Sequence, residues 1–211
     1  MMQFAHSYLS EQSGIQFYKL MGSGKGKGFN PFPDWSTYAL LVVWEDEKSA
    51  NDFFENAELF KKYKNQTTER WTIFMKSILA RGSWSNQNPF DLHPELDEKN
   101  EWLCIITRAT IRWQKLYSFW KYVPTSEKPL AKNDGLLYTK GIGEVPVIQM
   151  ATFSIWKNMK ALKKFAYESE AHRVAIQKTR ELDWYSEEMF CRFQPYKSIG
   201  TWGGGNPLSN L

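Results

Sequence analysis

Apolar side chains recur along the chain in short runs with the period of β-strands. A strand directs alternate side chains to opposite faces, and the run 147–156 shows that alternation. Several runs end at glycine, which is typical of a strand that stops at a turn. The pattern predicts seven strands, at 17–21, 38–44, 73–80, 103–113, 136–142, 147–156 and 188–193.

Segments with helical spacing fill the intervals between these strands. Residues 1–10 place Met2, Ala5 and Leu9 on one face, and residues 114–122 form a second amphipathic helix. Helices also follow the second strand of each half. Their apolar stripes are formed by Ala50, Phe53 and Phe54 and by Met159, Leu162, Phe165 and Ala166, and short helices start near Leu59 and Ala171.

The two halves of the chain match each other in sequence. Ala39–Trp44 (ALLVVW) corresponds to Ala151–Trp156 (ATFSIW) at an offset of 112 positions. Further on, GSWSNQNPF from Gly82 corresponds to GTWGGGNPL from Gly200 at an offset of 118, so the second half has about six extra residues. Matched blocks in one order predict an internal duplication.

The duplication gives each residue of the first half a counterpart in the second. At the offset of 112, Phe60 corresponds to His172 and Glu69 to Glu181. One half therefore has an aromatic side chain where the other has an imidazole.

The order of elements in the second half is β-α-β-β-α-β, the split βαβ unit. We therefore expect an α+β fold made of two fused ferredoxin-like repeats, in the manner of a dimeric α+β barrel. The expected single domain has a first repeat at 1–90, a linker at 91–100 and a second repeat at 101–211. The first repeat lacks the opening strand, so we expect either residues upstream of Met1 or a partner to supply it, since open edges invite pairing.

Composition narrows the class of protein. The net charge of +4 is spread along the chain rather than gathered in a basic stripe, which argues against nucleic-acid binding and allows weak attraction to an anionic membrane. Cys104 and Cys191 are far apart and show no disulfide or metal-binding pattern. No apolar run approaches the roughly 18 residues that span a bilayer, and no signal peptide is evident, so we expect a cytoplasmic protein.

Common catalytic motifs are missing from the sequence. The glycine-rich stretch 22–28 lacks the Ser or Thr and the following helix of a phosphate-binding loop, and we interpret it as a hairpin connection. No nucleophile elbow occurs, and the three histidines lie in different segments without paired metal-ligand spacing. We expect His93 to be solvated in the linker and His6 to pack in the core.

His172 is the most informative of the histidines. On a helix it shares a face with Ala175, Ile176 and Thr179, while Arg173 and its neighbours face outward. An inward imidazole could ligate the iron of a porphyrin, or it could be satisfied by a backbone carbonyl.

Arg108 and Arg112 occupy alternate positions of the run 103–113, so they are expected on one face of that strand. In a functional reading, one of them lies above bound oxygen or against a haem propionate. A surface or interface salt bridge is the alternative.

Several long runs resemble the spheroidene monooxygenase family, and the similarity extends from about Gln3 to Leu208. They are FYKLMGSGKGKGF, TRATIRWQKLYSFW, GIGEVPVIQMATFSIW, AHRVAIQKTRELDWYSEEMFCRF and GTWGGGNPL. The resemblance implies oxidation of an acyclic carotenoid near its end group, with haem, molecular oxygen and an external electron donor such as a ferredoxin. It also implies a haem-binding histidine, for which His172 in the AHR segment is the matching position.

The aromatic content of 16%, with 10 Trp, agrees with a flat apolar substrate. We expect Ile176, Trp156 and Trp184 to lie beside the haem, and Trp113, Trp120, Trp156 and Trp184 to be available to line a slot for a polyene. A membrane-borne substrate implies transient contact with the membrane surface, and a homodimer is a further expectation.

Two other functions remain open from the sequence. The first is a haem-degrading or small-molecule monooxygenase with the same fold. The second is a barrel that only binds haem or an apolar ligand. A haem spectrum and a pigment analysis would distinguish them.

Overall fold

A computed structural model describes residues 2–26, 30–122, 134–168, 174, 177–179 and 181–211. The elements are α1 (Met2–Glu11), β1 (Ile15–Gly24), β2 (Pro33–Trp44), α2 (Glu47–Asn56), α3 (Glu58–Gln66), β3 (Trp71–Gly82), β4 (Leu103–Ile111), a 3-10 turn (Trp113–Lys115), α4 (Leu116–Tyr122), β5 (Leu136–Val145), β6 (Gln149–Trp156), α5 (Met159–Glu168) and β7 (Tyr185–Gly200).

All seven predicted strands are present, and the helices predicted before β1, between β2 and β3, after β4 and after β6 are confirmed. The main difference lies at the end of β4. The predicted strand ran to Trp113, but β4 ends at Ile111 and the chain turns into a 3-10 helix. Arg112 therefore lies outside the strand, with the extended backbone angles of a helix cap.

The seven strands form one antiparallel sheet in the order β2-β1-β5-β6-β4-β7-β3. The second repeat contributes β5-β6-β4-β7, which is the strand order of a complete ferredoxin-like unit. The first repeat adds β1 and β2 beside β5, and β3 beside β7. The α+β fold of two fused ferredoxin-like repeats is thus confirmed, with β2 and β3 as the two edge strands.

An approximate two-fold relation connects the repeats at the long β3–β7 pairing. Its two register shifts fall at Ile78 and Tyr196, which are equivalent at the offset of 118. Gly82 and Gly200 are equivalent too, with φ of +95° and +89°. A Cβ at either glycine would lie 2.1 Å from a backbone oxygen of the neighbouring chain segment. This close approach of the two backbones therefore requires glycine at both positions.

A single apolar cluster fills the inner side of the sheet. Every one of the seven strands contributes to it, so the sheet curls around this core in the manner of an α+β barrel. Cys104 and Cys191 lie in it with no polar surroundings, and burial raises the pKa of Cys191 to about 12. Both thiols are therefore neutral packing groups.

The helices cover the outer side of the sheet. In the first repeat α1, α2 and α3 bury Ala5, Leu9, Phe53 and Leu59, and in the second repeat α4 and α5 pack over two separate clusters. The position matched to His172 is Phe60, whose ring packs against Phe53 and Phe54, as expected for a core aromatic.

Among the described helices, none combines the length and the apolar character needed to cross a bilayer.

Candidate active site

Arg108 lies inside the curled sheet, with only 2% of its surface exposed. It follows Cys104 and Ile106 on the inner face of β4, as the alternation of the strand requires. A buried guanidinium needs carboxylate partners because the loss of hydration is otherwise severe. The residues that supply these partners come from other strands.

Two glutamates hold the Arg108 guanidinium. Glu187, at the start of β7, pairs with Nη1, and Glu144, at the end of β5, lies with Oε1 3.5 Å from Nη2. Glu187 is itself held by the turn after β3, where the Asn86 backbone N–H donates to Oε1 at 2.7 Å and the Ser83 hydroxyl at 3.1 Å. The guanidinium is thus fixed between two strands and a turn.

Lys19 and Trp84 complete this arrangement. The Lys19 Nζ lies 2.8 Å from the Glu144 carboxylate, and the Trp84 indole N–H donates to the same carboxylate at 2.7 Å. The Trp84 ring also lies 5.7 Å from the Arg108 guanidinium carbon, within the range of a cation–π contact. We call Lys19, Trp84, Arg108, Glu144 and Glu187 the buried charge cluster.

The buried charge cluster is balanced, with two cations and two carboxylates. Burial raises the pKa of Glu187, but the Asn86 and Arg108 hydrogen bonds outweigh it, so the pKa lies below its ordinary value. Glu187 is therefore an anion at neutral pH rather than a proton donor. In the described part of the chain, the Arg108 Nε is buried without a hydrogen-bond partner. The Arg108 Nε–H is thus a donor that the other members of the cluster leave unused.

Arg112 does not join Arg108, in contrast to the prediction. It follows the end of β4, where its Nε pairs with Asp183 at 3.1 Å and its side chain is 40% exposed. Its backbone N–H donates to the Trp184 carbonyl. For Arg112 the geometry is that of a surface salt bridge, the alternative considered from the sequence.

The tryptophans expected in one slot lie in different places. Trp156 packs on the outer face against Leu103, Ile105 and Phe165, near the start of β4. Trp184 packs with Phe119 near the other end of β4.

The remaining two tryptophans of the expected slot also differ in their surroundings. Trp120 packs in the same cluster as Trp184, while Trp113 is 75% exposed. Trp156 and Trp184 thus belong to two separate clusters on the outer side of the sheet, whereas Arg108 lies on its inner side. Whether any of them serves the reaction remains a prediction.

The histidines bear directly on the expected haem. His172 and Ile176 lie outside the described residues, so their assignment remains a prediction. His6 is exposed and its Nδ1 lies 3.2 Å from the Tyr18 hydroxyl, so the expected core position is wrong. His93 is exposed, as expected, and its Nδ1 accepts the Glu95 backbone N–H.

The described histidines and cysteines do not fit an iron porphyrin as axial ligands. His6 and His93 are surface groups with local partners, and the buried thiols are protonated. In the same part of the chain, no three His, Cys, Asp or Glu side chains are grouped to hold a metal ion.

Sequence reasoning missed every carboxylate of the buried charge cluster. The sequence comparison matched Glu69 with Glu181 as equivalent positions of the two repeats. In the structure, Glu69 is instead equivalent to Glu187. Each of these two accepts backbone N–H groups from the Gly-x-Trp turn of the other repeat. The extra residues of the second repeat thus lie before Glu187, and a shift to the offset of 118 would have revealed the pair.

Three relatives resemble the chain over most of its length. It is 33% identical over 204 residues to the spheroidene monooxygenase of Rhodobacter capsulatus, covering 96% of this chain and 84% of the relative. The spheroidene monooxygenase of Cereibacter sphaeroides is 32% identical over 92% of this chain and 60% of the relative. That of Rubrivivax gelatinosus is 33% identical over 92% of this chain and 73% of the relative.

Solved structures with a similar course of the chain are more distant. A putative monooxygenase from Fusobacterium nucleatum is 12% identical and has a TM-score of 0.45. The matched part covers 97% of this chain and 88% of the Fusobacterium chain. A putative monooxygenase from Lactobacillus acidophilus is 10% identical, covers 95% and 90%, and has a TM-score of 0.38. No protein-family model matches the chain.

Proposed function

The chain belongs to the spheroidene monooxygenase family, and on this premise we propose that it hydroxylates or ketolates an acyclic carotenoid near its end group. The observation that carries the proposal is the identity of 33% across 96% of the chain and 84% of the relative, which includes both repeats. In a hydroxylation, one oxygen atom of O2 enters a C–H bond of the carotenoid. The other atom leaves as water, with two electrons and two protons from an external donor.

Haem, held by His172, is the proposed cofactor. When bound, haem would supply the activation of oxygen. The support is the resemblance to the family, in which the AHR segment with His172 is the position matched to the haem-binding histidine. An electron-donor protein such as a ferredoxin would complete the system in the cytoplasm.

Arg108 is the described residue best suited to act on a polar group of the reaction. It is permanently charged, fixed by two carboxylates, and has one N–H group left to donate. Its role would be to orient an oxygen atom or a carboxylate by one hydrogen bond. Arg112, at the surface, is the weaker of the two candidates.

Expression in a bacterial host that accumulates an acyclic carotenoid tests the proposed activity. We expect pigments that have gained one oxygen atom, as alcohol or ketone, and isotopically labelled O2 should deliver that atom. The matched control is the same host with an empty vector. Unchanged pigments, with the chain folded and an electron donor co-expressed, would refute the carotenoid activity and favour a different substrate or a binding role.

A substrate dissolved in the bilayer requires contact with the membrane, and the region of α4 offers a suitable surface. Trp113, in the 3-10 turn, and Tyr117, in α4, are 75% and 84% exposed and lie four positions apart in the sequence. Lys115 and Lys121 lie on the same segment. Exposed aromatics beside lysines are typical of contact with an anionic membrane surface.

Replacing Trp113 and Tyr117 together by serine is expected to weaken binding to anionic phospholipid vesicles by at least about tenfold, because two aromatic side chains no longer insert. Co-sedimentation with the vesicles measures this. Phe32→Ser with Trp35→Ser is the matched control, since these side chains are similarly exposed but belong to a different segment, at the start of β2. Equal loss in both variants would argue against the α4 surface.

A further inference from the structure

The helix α5 presents a basic face to solvent. Lys160, Lys163 and Lys164 lie three and four positions apart, so they share one side of the helix, and Lys157 precedes its first turn. All four residues are exposed, and none of them forms an ion pair with a described residue. Four positive charges within a short stretch of the chain therefore face outward together.

Packing on the sheet fixes which side of α5 faces outward. Met159, Leu162 and Phe165 pack against the outer side of β4. The Asn158 side chain accepts the Ala161 backbone N–H at 2.9 Å and so caps the start of the helix. The lysines are thus presented by an element that is anchored to the sheet and capped.

The equivalent helix of the first repeat has the opposite charge. α2 contains three acidic residues and one lysine, whereas α5 contains three lysines and one glutamate. At the offset of 112, Lys163 and Lys164 correspond to Asn51 and Asp52. The first turn of α2 has Glu47, but that of α5 has no acidic residue, although carboxylates are favoured at a helix start. The fold therefore does not require the positive charge of α5.

An open cleft of about 260 Å³ lies beside the start of this basic face. It is lined by Asn100, Glu101, Leu103, Asn158, Met159 and Lys160. Leu103 and Met159 give the cleft an apolar part, and polar side chains surround it. An apolar centre with a polar rim is the usual anatomy of a protein–protein contact. We call this cleft, together with Lys157, Lys160, Lys163 and Lys164, the α5 surface.

The chemistry of the α5 surface differs from that of the region of α4. Trp113 and Tyr117 are exposed there and suit contact with a membrane, whereas no exposed aromatic side chain lies on the described α5 surface. Charges on an anchored helix, without aromatic groups to insert, match carboxylates in fixed positions on an acidic protein.

We propose that the α5 surface docks an acidic electron-transfer protein of the iron–sulfur class, an inference that rests on the proposed function. The hydroxylation takes two electrons from outside the chain. A one-electron iron–sulfur donor delivers them in two successive contacts, and its cluster is oxidised by one electron in each. Such partners associate briefly through small interfaces, in which complementary charge sets the rate and the orientation.

The position of α5 along the chain suits this role. His172, the proposed haem ligand, follows the end of α5 by four residues, and four residues span at most about 14 Å. A donor docked on the α5 surface would therefore lie near the group that its electrons are proposed to reach.

The probe is an oxidised plant-type [2Fe–2S] ferredoxin of strongly negative net charge, immobilised for surface plasmon resonance at low ionic strength. We expect saturable binding of the chain that weakens as salt is added, because salt screens exposed charges. Lys160→Glu combined with Lys163→Glu should weaken this binding at least about tenfold, since two attractive contacts become repulsive.

Lys61→Glu combined with Lys64→Glu is the matched control. These lysines are also exposed and three positions apart on a helix, so the change in net charge is the same, but α3 belongs to the first repeat. Ferredoxin binding should stay within about twofold of the wild type in this variant. Circular dichroism checks that both variants are folded.

Absence of saturable ferredoxin binding, or equal weakening in the two variants, would overturn the proposal. So would unchanged ferredoxin binding in an α5 variant that has lost binding to anionic vesicles or has lost self-association. A membrane, or the acidic α2 of a second copy, would then be the partner of the α5 surface.

The binding assay contains no carotenoid, so it is independent of the oxygenation activity. Unchanged pigments, together with ferredoxin bound through α5, would refute the proposed function and leave the docking surface in place. Oxygenated pigments, together with ferredoxin binding that the α5 variant retains, would refute the docking surface and leave the function in place.

Discussion

Replacing Arg108 by alanine is expected to lower the free energy of unfolding by about 3–5 kcal/mol, the cost of leaving buried charges without their partner. Glu187 and Glu144 would lose the guanidinium that lies between them, and the Trp84 ring would lose its cation. This is a large part of the roughly 5–15 kcal/mol that stabilises an ordinary domain. Urea denaturation followed by tryptophan fluorescence measures the change.

Arg112→Ala is the matched control for Arg108→Ala, because it removes the same chemical group from a solvent-exposed pair. Exposed ion pairs contribute about 0–1 kcal/mol, so the loss should be small. A further test combines Arg108→Ala with Glu187→Gln. The double variant should be less destabilised than the sum of the single variants, since the carboxylate is no longer an unpaired charge. Equal losses for Arg108→Ala and Arg112→Ala would contradict the buried charge cluster as a stabilising unit.

The substitution His172→Ala is expected to abolish haem retention and, with it, oxygenation of the carotenoid, while the chain remains folded. An axial imidazole is the bond through which the protein would hold the iron, and the two described histidines, His6 and His93, are exposed and have local partners. The Soret absorbance of haem per mole of protein, measured after reconstitution, reports the loss of haem directly. Circular dichroism reports the fold.

His6→Ala and His93→Ala are the controls for His172→Ala. Both side chains are exposed and engaged locally, with Tyr18 and with the Glu95 backbone, so haem retention should be unchanged. Full haem occupancy in His172→Ala would refute His172 as the haem ligand. Loss of haem in His6→Ala or His93→Ala would identify that histidine as the ligand instead. A protein that never binds haem, yet oxygenates carotenoids, would refute the cofactor and leave the activity in place.

The order and type of the elements could be predicted because they depend on neighbouring residues. The strand period over 147–156 and the helical stripe that begins at Met159 are local patterns, and β6 and α5 follow them closely. The end of β4 could not be predicted from periodicity. The alternation continues to Trp113, but the chain leaves the sheet at Arg112, where its backbone N–H binds the Trp184 carbonyl from a distant segment.

The candidate site shows the same limit. The alternation along β4 correctly placed Arg108 with Cys104 and Ile106, but it could not tell which face of the sheet would close on itself. Trp156 and Trp184 were expected beside one bound cofactor, and they lie in two separate clusters on the outer face. Lys19, Glu144 and Glu187 carry no local signal, because they meet only when three strands come side by side.

The sequence by itself determined the duplication, the strands and helices of each repeat, and the family, since all of these are recorded in the order of residues along the chain. Only the tertiary structure decided that Arg108 lies between two carboxylates, that Glu69 is the counterpart of Glu187, and that β2 and β3 are the edge strands of the sheet. The physical reason is that these contacts join residues far apart in sequence. Their proximity follows from the curling of the sheet around one apolar core, which no local period encodes.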